Sequence, residues 1–218
     1  MSAADATGHP WFAAIYDRLN AAAERSFLRP VREQVAGQAR GRVLEIGCGT
    51  GASFPYYRDA VTELVATEPD PHMLARARTR AAAVGRPIDL RQAPAETLPF
   101  DDRSFDTVVS TLVLCTVRDP AQALAEVKRV LRPGGELRFY EHVRHDHALG
   151  ALSQDLVTPL WRRCFAGCEP NRDTARLIRE AGFEIAELER TTPVPPIPPL
   201  YFIRPQIRGV ARVAGAGR

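Results

Sequence analysis

Hydrophobic and polar residues follow two different periods along most of the chain. Short apolar runs predict buried strands, and apolar positions three and four residues apart predict helices. The predicted strands are Val43–Ile46, Glu63–Thr67, Ile88–Gln92, Thr107–Ser110 and Glu136–Tyr140. Helical spacing lies between them at Phe54–Arg58, His72–Val84 and Ala121–Val130. Strands and helices that alternate with short connections predict a parallel sheet covered by helices on both faces.

The two ends of the chain extend this pattern. Helical spacing begins at Trp11, and Pro30 breaks or restarts the helix before Val31–Gln38. After the fifth strand the pattern predicts a helix over Leu149–Phe165 interrupted by Pro159, a helix from Thr174 to Ala181, a strand over Phe183–Arg190 and a last strand within Tyr201–Val213. We expect an α/β fold: a Rossmann-like, doubly wound, seven-stranded, mostly parallel sheet with a C-terminal antiparallel hairpin and an N-terminal helical cap.

The first predicted strand runs directly into a loop with glycine at every second position, Gly47-Cys48-Gly49-Thr50-Gly51. Glycine permits backbone angles closed to other residues and leaves no side chain between the main chain and a ligand. Such a loop at the carboxyl edge of a sheet is typical of folds that hold an adenosine-containing cofactor. Dinucleotide folds use G-x-G-x-x-G, whereas the spacing here is G-x-G-x-G. The preceding Glu45 favours a ligand with positive charge over one with phosphates.

A second acidic residue follows the second predicted strand. Glu68 lies 21 residues after Gly47, about where nucleoside-binding α/β folds place an acidic residue that accepts hydrogen bonds from ribose hydroxyls. Pro69 ends the strand, and Pro71 suits the first turn of the next helix. The position of Glu68 therefore predicts a ribose contact.

Composition and charge exclude several classes of partner. The 218 residues include 29 basic and 26 acidic ones, with a net charge of +3. No long run of Lys or Arg is present, so nucleic acid is not indicated as a partner. No stretch approaches about 18 consecutive apolar residues, and the N-terminus has no charged-then-apolar signal region. We expect a cytoplasmic protein without stable membrane insertion.

The four cysteines, Cys48, Cys115, Cys164 and Cys168, match no familiar disulfide framework. Cys164 and Cys168 are one helical turn apart, but no histidine or second cysteine pair supplies the rest of a zinc site. We expect free thiols in a reducing compartment and no bound metal.

The stretch Val43–Gly51 resembles the first motif of the class I S-adenosylmethionine (SAM)-dependent methyltransferases. The resemblance implies that the chain binds SAM and releases S-adenosylhomocysteine (SAH). It also implies a single domain over residues 1–218, made of an N-terminal cap (1–38), a cofactor half (40–143) and an acceptor-side half (144–218). The implied cofactor contacts are Tyr16, Glu45, Gly47, Cys48, Gly49, Thr50, Gly51, Glu68, Pro69, Met73, Ala95, Glu96, Thr111, Leu112 and Cys115.

The resemblance gives some of these residues distinct roles. Glu45 and Thr111 would orient the methionine end of SAM, Tyr16 would reach its carboxylate, and Cys115 would lie near the sulfonium.

On the adenine side, Met73, Ala95 and Leu112 would form the walls. The loop Ala93–Phe100 resembles the adenine loop of the family, but Pro94 stands at its usual acidic position. Adenine would then rely on the backbone at Ala95 and on Glu96.

Later stretches resemble a narrower group, the alkyl thiol S-methyltransferases of animal microsomes and their bacterial relatives. This resemblance implies a small-molecule acceptor, a thiol. His142 ends the fifth predicted strand, where open α/β sheets place ligands, and an unperturbed imidazole can accept a proton near pH 7. We expect it to be a general base, or else a structural histidine. The stretches are Ser110–Val117, Arg129–Gly135, Glu141–Val143, Pro159–Trp161, Gly167-Cys168, Asn171-Arg172 and Ile203–Pro205.

Other functions remain open at this point. The cofactor half also resembles the ubiquinone and menaquinone methyltransferases, so quinone C-methylation and phospholipid N-methylation are alternatives. A SAM-binding regulatory subunit without its own chemistry is an alternative of another class. An NAD-binding protein is disfavoured by the glycine spacing.

Overall fold

A twisted sheet with helices on both faces organises the chain in a computed structural model, which describes residues 21, 23–193 and 201–213. The strands are β1 (Gly41–Ile46), β2 (Val61–Thr67), β3 (Ile88–Arg91), β4 (Phe105–Thr111), β5 (Leu131–His142), β6 (Phe183–Thr191) and β7 (Gln206–Val213). The α-helices are α1 (Arg29–Val35), α2 (Pro71–Val84), α3 (Pro120–Val130), α4 (Ala148–Cys164) and α5 (Thr174–Glu180). A π-helical turn (Glu24–Leu28) precedes α1, and 3-10 turns occupy Phe54–Tyr56 and Tyr201–Ile203.

The order of strands across the sheet is β3-β2-β1-β4-β5-β7-β6. Strands β1 to β5 pair in parallel, and β7 pairs antiparallel with both β5 and β6. The seven-stranded, mostly parallel sheet with a C-terminal antiparallel hairpin is confirmed. No helix among the described residues combines the length and apolarity needed to cross a bilayer.

The central strands are buried on both faces, which explains why they read as continuous apolar runs. In β1, Val43 packs into the cluster under α1 and α2, whereas Leu44 packs into the cluster under α3 and α5. Both residues are fully buried. Successive side chains of a strand point to opposite faces, so one short run supplies both layers of the core.

An aspartate and a glycine set the two ends of α2. The Asp70 carboxylate accepts from the amides of His72 and Met73 at the start of α2. Gly85 ends α2 with φ +76°, the left-handed angle usual at a helix C-terminus. Such caps fix where α2 begins, directly behind Glu68 in the chain.

Three details of the sequence prediction are wrong. The helix predicted at Phe54–Arg58 is only a 3-10 turn. Helix α4 continues through Pro159 without interruption. Strand β5 begins at Leu131 rather than at the predicted Glu136, and the register of its pairing with β4 shifts within residues 132–135.

Candidate functional site

The crevice between the loops after β1 and β4 is the natural ligand site of this sheet. From β1 the chain continues to β2 and β3 on one side and then crosses to β4 on the other. The loops that leave the carboxyl ends of β1 and β4 therefore run in opposite directions and leave a crevice between them. Ligands of open α/β sheets bind in such a crevice. The glycine loop follows β1, and the segment from Leu112 to Val117 follows β4, so many of the predicted site residues gather here.

The glycine loop is anchored to the end of β2. The Cys48 amide donates to the Thr67 carbonyl at 2.9 Å, and the Gly51 amide donates to the Cys48 carbonyl at 2.8 Å. The Gly49 amide donates to Glu68 Oε2 at 2.8 Å. These bonds hold the loop and the Glu68 carboxylate in one fixed arrangement.

The three glycines are needed for two different reasons. All have left-handed backbones, with φ of +54°, +57° and +77° at Gly47, Gly49 and Gly51. A methyl group at Gly47 would lie 2.8 Å from Val113, and one at Gly51 would collide with the Phe54 ring. A methyl group at Gly49 would meet nothing within 4 Å. Packing therefore requires Gly47 and Gly51, and Gly49 is where a ligand can approach the main chain.

Glu68 is buried and has acceptor capacity to spare. Its Oε2 accepts from Gly49, and its Oε1 accepts from the Asp70 amide at 2.9 Å. A carboxylate offers about four lone-pair sites, so each oxygen can accept a further hydrogen bond. Burial raises the pKa of Glu68 to about 7, against the opposing effect of the two amides. These acceptor oxygens fit a ligand that presents hydroxyl groups, such as the ribose of SAM.

Glu45 lies inside β1 and is bound by the protein itself. Its side chain is buried, and its Oε2 accepts from the Tyr57 hydroxyl at 3.0 Å. Burial raises its pKa to about 7, although Ser53, Arg32 and Tyr57 act in the opposite direction. The contact that the sequence analysis assigned to Glu45, with the methionine end of SAM, stays a prediction.

The pKa of Glu68 predicts a pH dependence of SAH affinity. Above about pH 7 the carboxylate is ionised and free to accept from ribose hydroxyls, and below it a proton must first be released. The affinity of SAH should therefore fall as the pH falls from about 8 to about 6, by at most about tenfold per unit. Isothermal titration calorimetry measures this slope.

Two variants identify which carboxylate causes the slope. Glu68→Gln should bind SAH weakly at every pH and lose the dependence. Glu45→Gln tests the other carboxylate whose pKa is raised to about 7, and any part of the pH dependence that it removes belongs to Glu45. An affinity of the unmodified protein that is flat over this range contradicts the assignment of Glu68.

Four further predicted contacts surround the same loop. Thr50 is buried, and its hydroxyl accepts from Arg80 at 3.1 Å. Cys48 is also buried, and burial raises the pKa of its thiol well above the ordinary range, which disfavours reactivity. Met73 is buried in the first turn of α2, whereas Pro69 is exposed.

One of the residues predicted to contact adenine already has hydrogen-bond partners within the protein. Ala95 is buried. Glu96 Oε1 accepts from the amides of Arg118 at 2.9 Å and Asp119 at 3.3 Å. The Glu96 carboxylate thus holds the turn that leads into α3, so its contact with adenine stays a prediction that competes with this role.

The loop after β4 carries both strain and an unpartnered hydroxyl. Leu112 has φ +60°, a left-handed angle that costs a side-chain-bearing residue about 1–2 kcal/mol. Its amide donates to the Tyr140 carbonyl at 2.7 Å. Thr111 Oγ1 is buried with no hydrogen-bond partner among the described residues. Strained backbone and an orphaned hydroxyl at a crevice both fit a site for a polar ligand group.

Glu141 organises that loop, a role that the sequence analysis missed. Its Oε1 accepts from the Ser110 hydroxyl at 2.7 Å and the Val113 amide at 3.1 Å, and its Oε2 accepts from the Cys115 amide at 3.1 Å. Glu141 is fully buried. The available signal was an acidic residue directly after Phe139 and Tyr140 at the end of the predicted fifth strand, because a buried carboxylate needs several donors.

His142 ends β5 and lies against two sulfur atoms. Its Nδ1 is 3.5 Å from Cys115 Sγ and 3.5 Å from Cys168 Sγ. The hydrogen bond between the two thiols raises the pKa of Cys115 well above its ordinary value and lowers that of Cys168. The structure thus joins two predicted site residues, His142 and Cys115, and adds Cys168, for which no site was predicted. The general-base role of His142 stays a prediction.

Two other residues complete the comparison with the sequence analysis. Tyr16 falls outside the described residues. Cys164, which was weighed as a partner of Cys168, is exposed, whereas Cys168 is buried.

Comparisons with known proteins find similar sequences and structures. The sequence profile of the family described as "Methyltransferase domain" matches residues 44–139, which span the glycine loop, Glu68 and most of β5. The chain is 35% identical over 175 residues to the thiol S-methyltransferase TMT1B of Homo sapiens, covering 78% of this chain and 71% of that protein.

A bacterial relative and a solved structure extend the comparison. The chain is 36% identical over 177 residues to the phosphatidylethanolamine N-methyltransferase of Cereibacter sphaeroides, covering 77% of this chain and 81% of that protein. A SAM-dependent methyltransferase from Aquifex aeolicus superposes with a TM-score of 0.67 at 14% identity, covering 95% of this chain and 100% of the other. At that identity the structural likeness shows the fold alone.

Proposed function

Since the chain belongs to the methyltransferase domain family and is a SAM-dependent methyltransferase, we propose that its acceptor is a small-molecule thiol, methylated at sulfur. The observation that carries this proposal is the similarity to a thiol S-methyltransferase over 78% of the chain. The resemblance of the β4 loop and of Glu141–Val143 to the same group supports it.

SAM supplies an electrophilic methyl group, and the chain's task is to hold and orient it. In our proposal the open side of Gly49 admits the cofactor to the main chain, and the Glu68 carboxylate accepts from the ribose hydroxyls. The orphaned Thr111 hydroxyl bonds the methionine end. The Glu141 contacts fix the β4 loop, so these groups are in place before the acceptor arrives.

A thiol acceptor asks little more of the protein. A free thiol is already a few per cent ionised near neutral pH, and thiolate is strongly nucleophilic. Transfer then requires the sulfur to lie at near-attack distance from the methyl carbon, with water excluded. The absence of a nucleophile-elbow serine or a catalytic triad from the sequence is consistent with this reaction.

A panel of acceptors tests the proposal. Purified protein is incubated with methyl-labelled SAM and small thiols, phenols and amines of matched size, and labelled products are separated and counted. Transfer to thiols should exceed transfer to phenols and amines. Transfer to a phenol or an amine with none to any thiol contradicts the sulfur assignment and leaves the methyltransferase assignment intact.

Phospholipid N-methylation is the second candidate, and two observations favour it. One is the 36% identity to a phosphatidylethanolamine N-methyltransferase. The other is the exposed face of α4, where Leu149, Leu152, Leu156 and Leu160 are 55–81% exposed at helical spacing. Such a face can lie on a lipid surface.

Labelled methyl transfer to phosphatidylethanolamine vesicles tests this candidate beside the thiol panel. If the candidate holds, Leu152→Glu combined with Leu156→Glu should lower transfer to vesicles and leave SAH affinity unchanged. Vesicle transfer that is absent, or equal in the variant, removes this candidate.

A further inference from the structure

Three side chains suited to soft metal ions meet below the β4 loop. Cys115 comes from that loop, His142 from the end of β5, and Cys168 from the segment after α4. All three are buried, at 0%, 9% and 7% exposure. The two sulfur atoms are 3.9 Å apart, and each is 3.5 Å from His142 Nδ1.

These separations match the edges of a tetrahedral metal site. Zinc binds sulfur at about 2.3 Å and imidazole nitrogen at about 2.0–2.1 Å, which places two sulfurs about 3.8 Å apart and a sulfur and a nitrogen about 3.6 Å apart. We propose that Cys115, His142 and Cys168 bind one zinc ion, with a water molecule or another non-protein ligand in the fourth position. The expectation of no metal was based on the spacing of Cys164 and Cys168, and this proposal replaces it.

Charge favours the ion at this depth. Two thiolates and one Zn²⁺ sum to zero, so the loaded cluster carries no net charge into a buried region, where an isolated charge is costly. Zinc ligands must be deprotonated, and a zinc ion displaces the protons of both thiols. The charge of the ion is balanced without a carboxylate ligand. Cysteine sulfur and histidine nitrogen are both ligands that structural and catalytic zinc sites use.

Backbone hydrogen bonds already hold the two cysteines in place. The Cys115 amide donates to Glu141, and the Cys115 carbonyl accepts from the Glu169 amide at 2.7 Å. The Cys168 amide donates to the Phe165 carbonyl at 3.0 Å. Ligands fixed by such surrounding bonds lose little freedom when the ion binds.

A buried indole N–H lies beside one of the three proposed ligands. Trp161 Nε1 is buried without a hydrogen bond of normal geometry among the described residues. It lies beside Cys168, with which it interacts. A buried donor beside a ligand sulfur is the outer contact that a zinc-bound thiolate accepts.

A disulfide between Cys115 and Cys168 explains the cluster less well. Sulfur atoms in a disulfide are about 2.05 Å apart, so they would have to approach by almost 2 Å from the observed separation. It would also leave His142 Nδ1 facing two sulfurs that need no hydrogen bond from it. A metal site explains why the His142 imidazole faces both sulfur atoms, and a disulfide does not.

Metal content and cobalt spectroscopy test the proposal. The full-length protein is expressed with added zinc, purified under a phosphine reductant and dialysed against metal-free buffer. It should retain one zinc per chain. Replacement by Co²⁺ should give sulfur-to-cobalt charge-transfer absorption in the near ultraviolet and strong visible bands typical of tetrahedral cobalt.

Matched variants locate the ligands. Cys115→Ser and Cys168→Ser should each lose most of the zinc and the charge-transfer absorption. Cys164→Ser should keep both, since Cys164 is exposed and Cys115, His142 and Cys168 form the cluster without it. Zinc content equal in all three variants, or far below one per chain in the unmodified protein, overturns the proposal.

X-ray absorption spectroscopy of the unmodified zinc protein tests the same ligands without depending on whether a variant folds. It should show two sulfur ligands at about 2.3 Å together with nitrogen or oxygen ligands at about 2.0–2.1 Å. A coordination shell without sulfur overturns the proposal. SAH binding, measured separately after metal removal, reports on the methyltransferase assignment, so the two can fail independently.

Discussion

Gly49→Ala is expected to remove most of the affinity for SAH while the protein stays folded. The added methyl group meets no protein atom within 4 Å, so it projects into the crevice beside the main chain. There it takes space that the proposed cofactor site needs, and overpacking of a tight contact costs about 1–3 kcal/mol. SAH binding, measured by isothermal titration calorimetry, should weaken by on the order of 30-fold.

Gly85→Ala is the matched control. Gly85 also has a left-handed backbone, φ +76°, and open space around the position of a methyl group, but it ends α2 away from the glycine loop. Both variants should lose about 1 kcal/mol of unfolding free energy from backbone strain. Only Gly49→Ala should lose SAH affinity. Equal SAH affinity in the two variants would show that the cofactor does not approach Gly49.

The sequence predicted the sheet because its core strands are recognisable one at a time. Each central strand is buried on both faces and reads as a short apolar run, and parallel pairing follows from the helices between them. Strand ends were less predictable, because they depend on neighbours. Strand β4 starts at Phe105, before the predicted Thr107, and next to it the Asp106 carboxylate accepts from the Arg42 amide on β1 at 2.8 Å.

Helix α4 shows where periodicity misleads. Its leucines predicted the helix correctly, but they lie on the exposed side, and Gln154 is buried instead. The Gln154 amide nitrogen shares its two hydrogens among the carbonyls of Val143, Pro170 and Phe202. Those carbonyls belong to distant segments, so no local pattern could indicate that a glutamine would face inward. Pro159 is tolerated on the exposed side, where water can satisfy the carbonyl that it leaves unpaired.

Part of the candidate site could be predicted from the sequence, and part could not. The glycine loop and Glu68 belong to a short motif with a fixed spacing, so the sequence pointed to both. The cluster of Cys115, His142 and Cys168 forms only when β4, β5 and the end of α4 come together. Cys168 is 53 residues from Cys115, and the argument from spacing considered only Cys164 as its partner. Sites that depend on tertiary contacts between distant residues are invisible to motif spacing.

Glu141→Leu is expected to cause the largest loss of stability among single substitutions at this edge of the sheet. Leucine is close in size but accepts no hydrogen bond, so the amides of Val113 and Cys115 and the Ser110 hydroxyl lose their partner in a buried place. Each buried donor left unpaired costs about 1–3 kcal/mol. Urea denaturation should show a fall of about 3–5 kcal/mol in unfolding free energy.

Ser110→Ala separates the carboxylate's role from that of one hydrogen bond. It removes a single donor and leaves Glu141 bound to the two amides, so it should cost only about 1 kcal/mol. The folded fraction of Glu141→Leu should also bind SAH poorly, because the loop that carries Thr111 and Leu112 is no longer held. A Glu141→Leu protein within about 1 kcal/mol of the unmodified chain would mean that water replaces the carboxylate. The β4 loop would then owe its shape to the strained Leu112 backbone and its bond to Tyr140 rather than to Glu141.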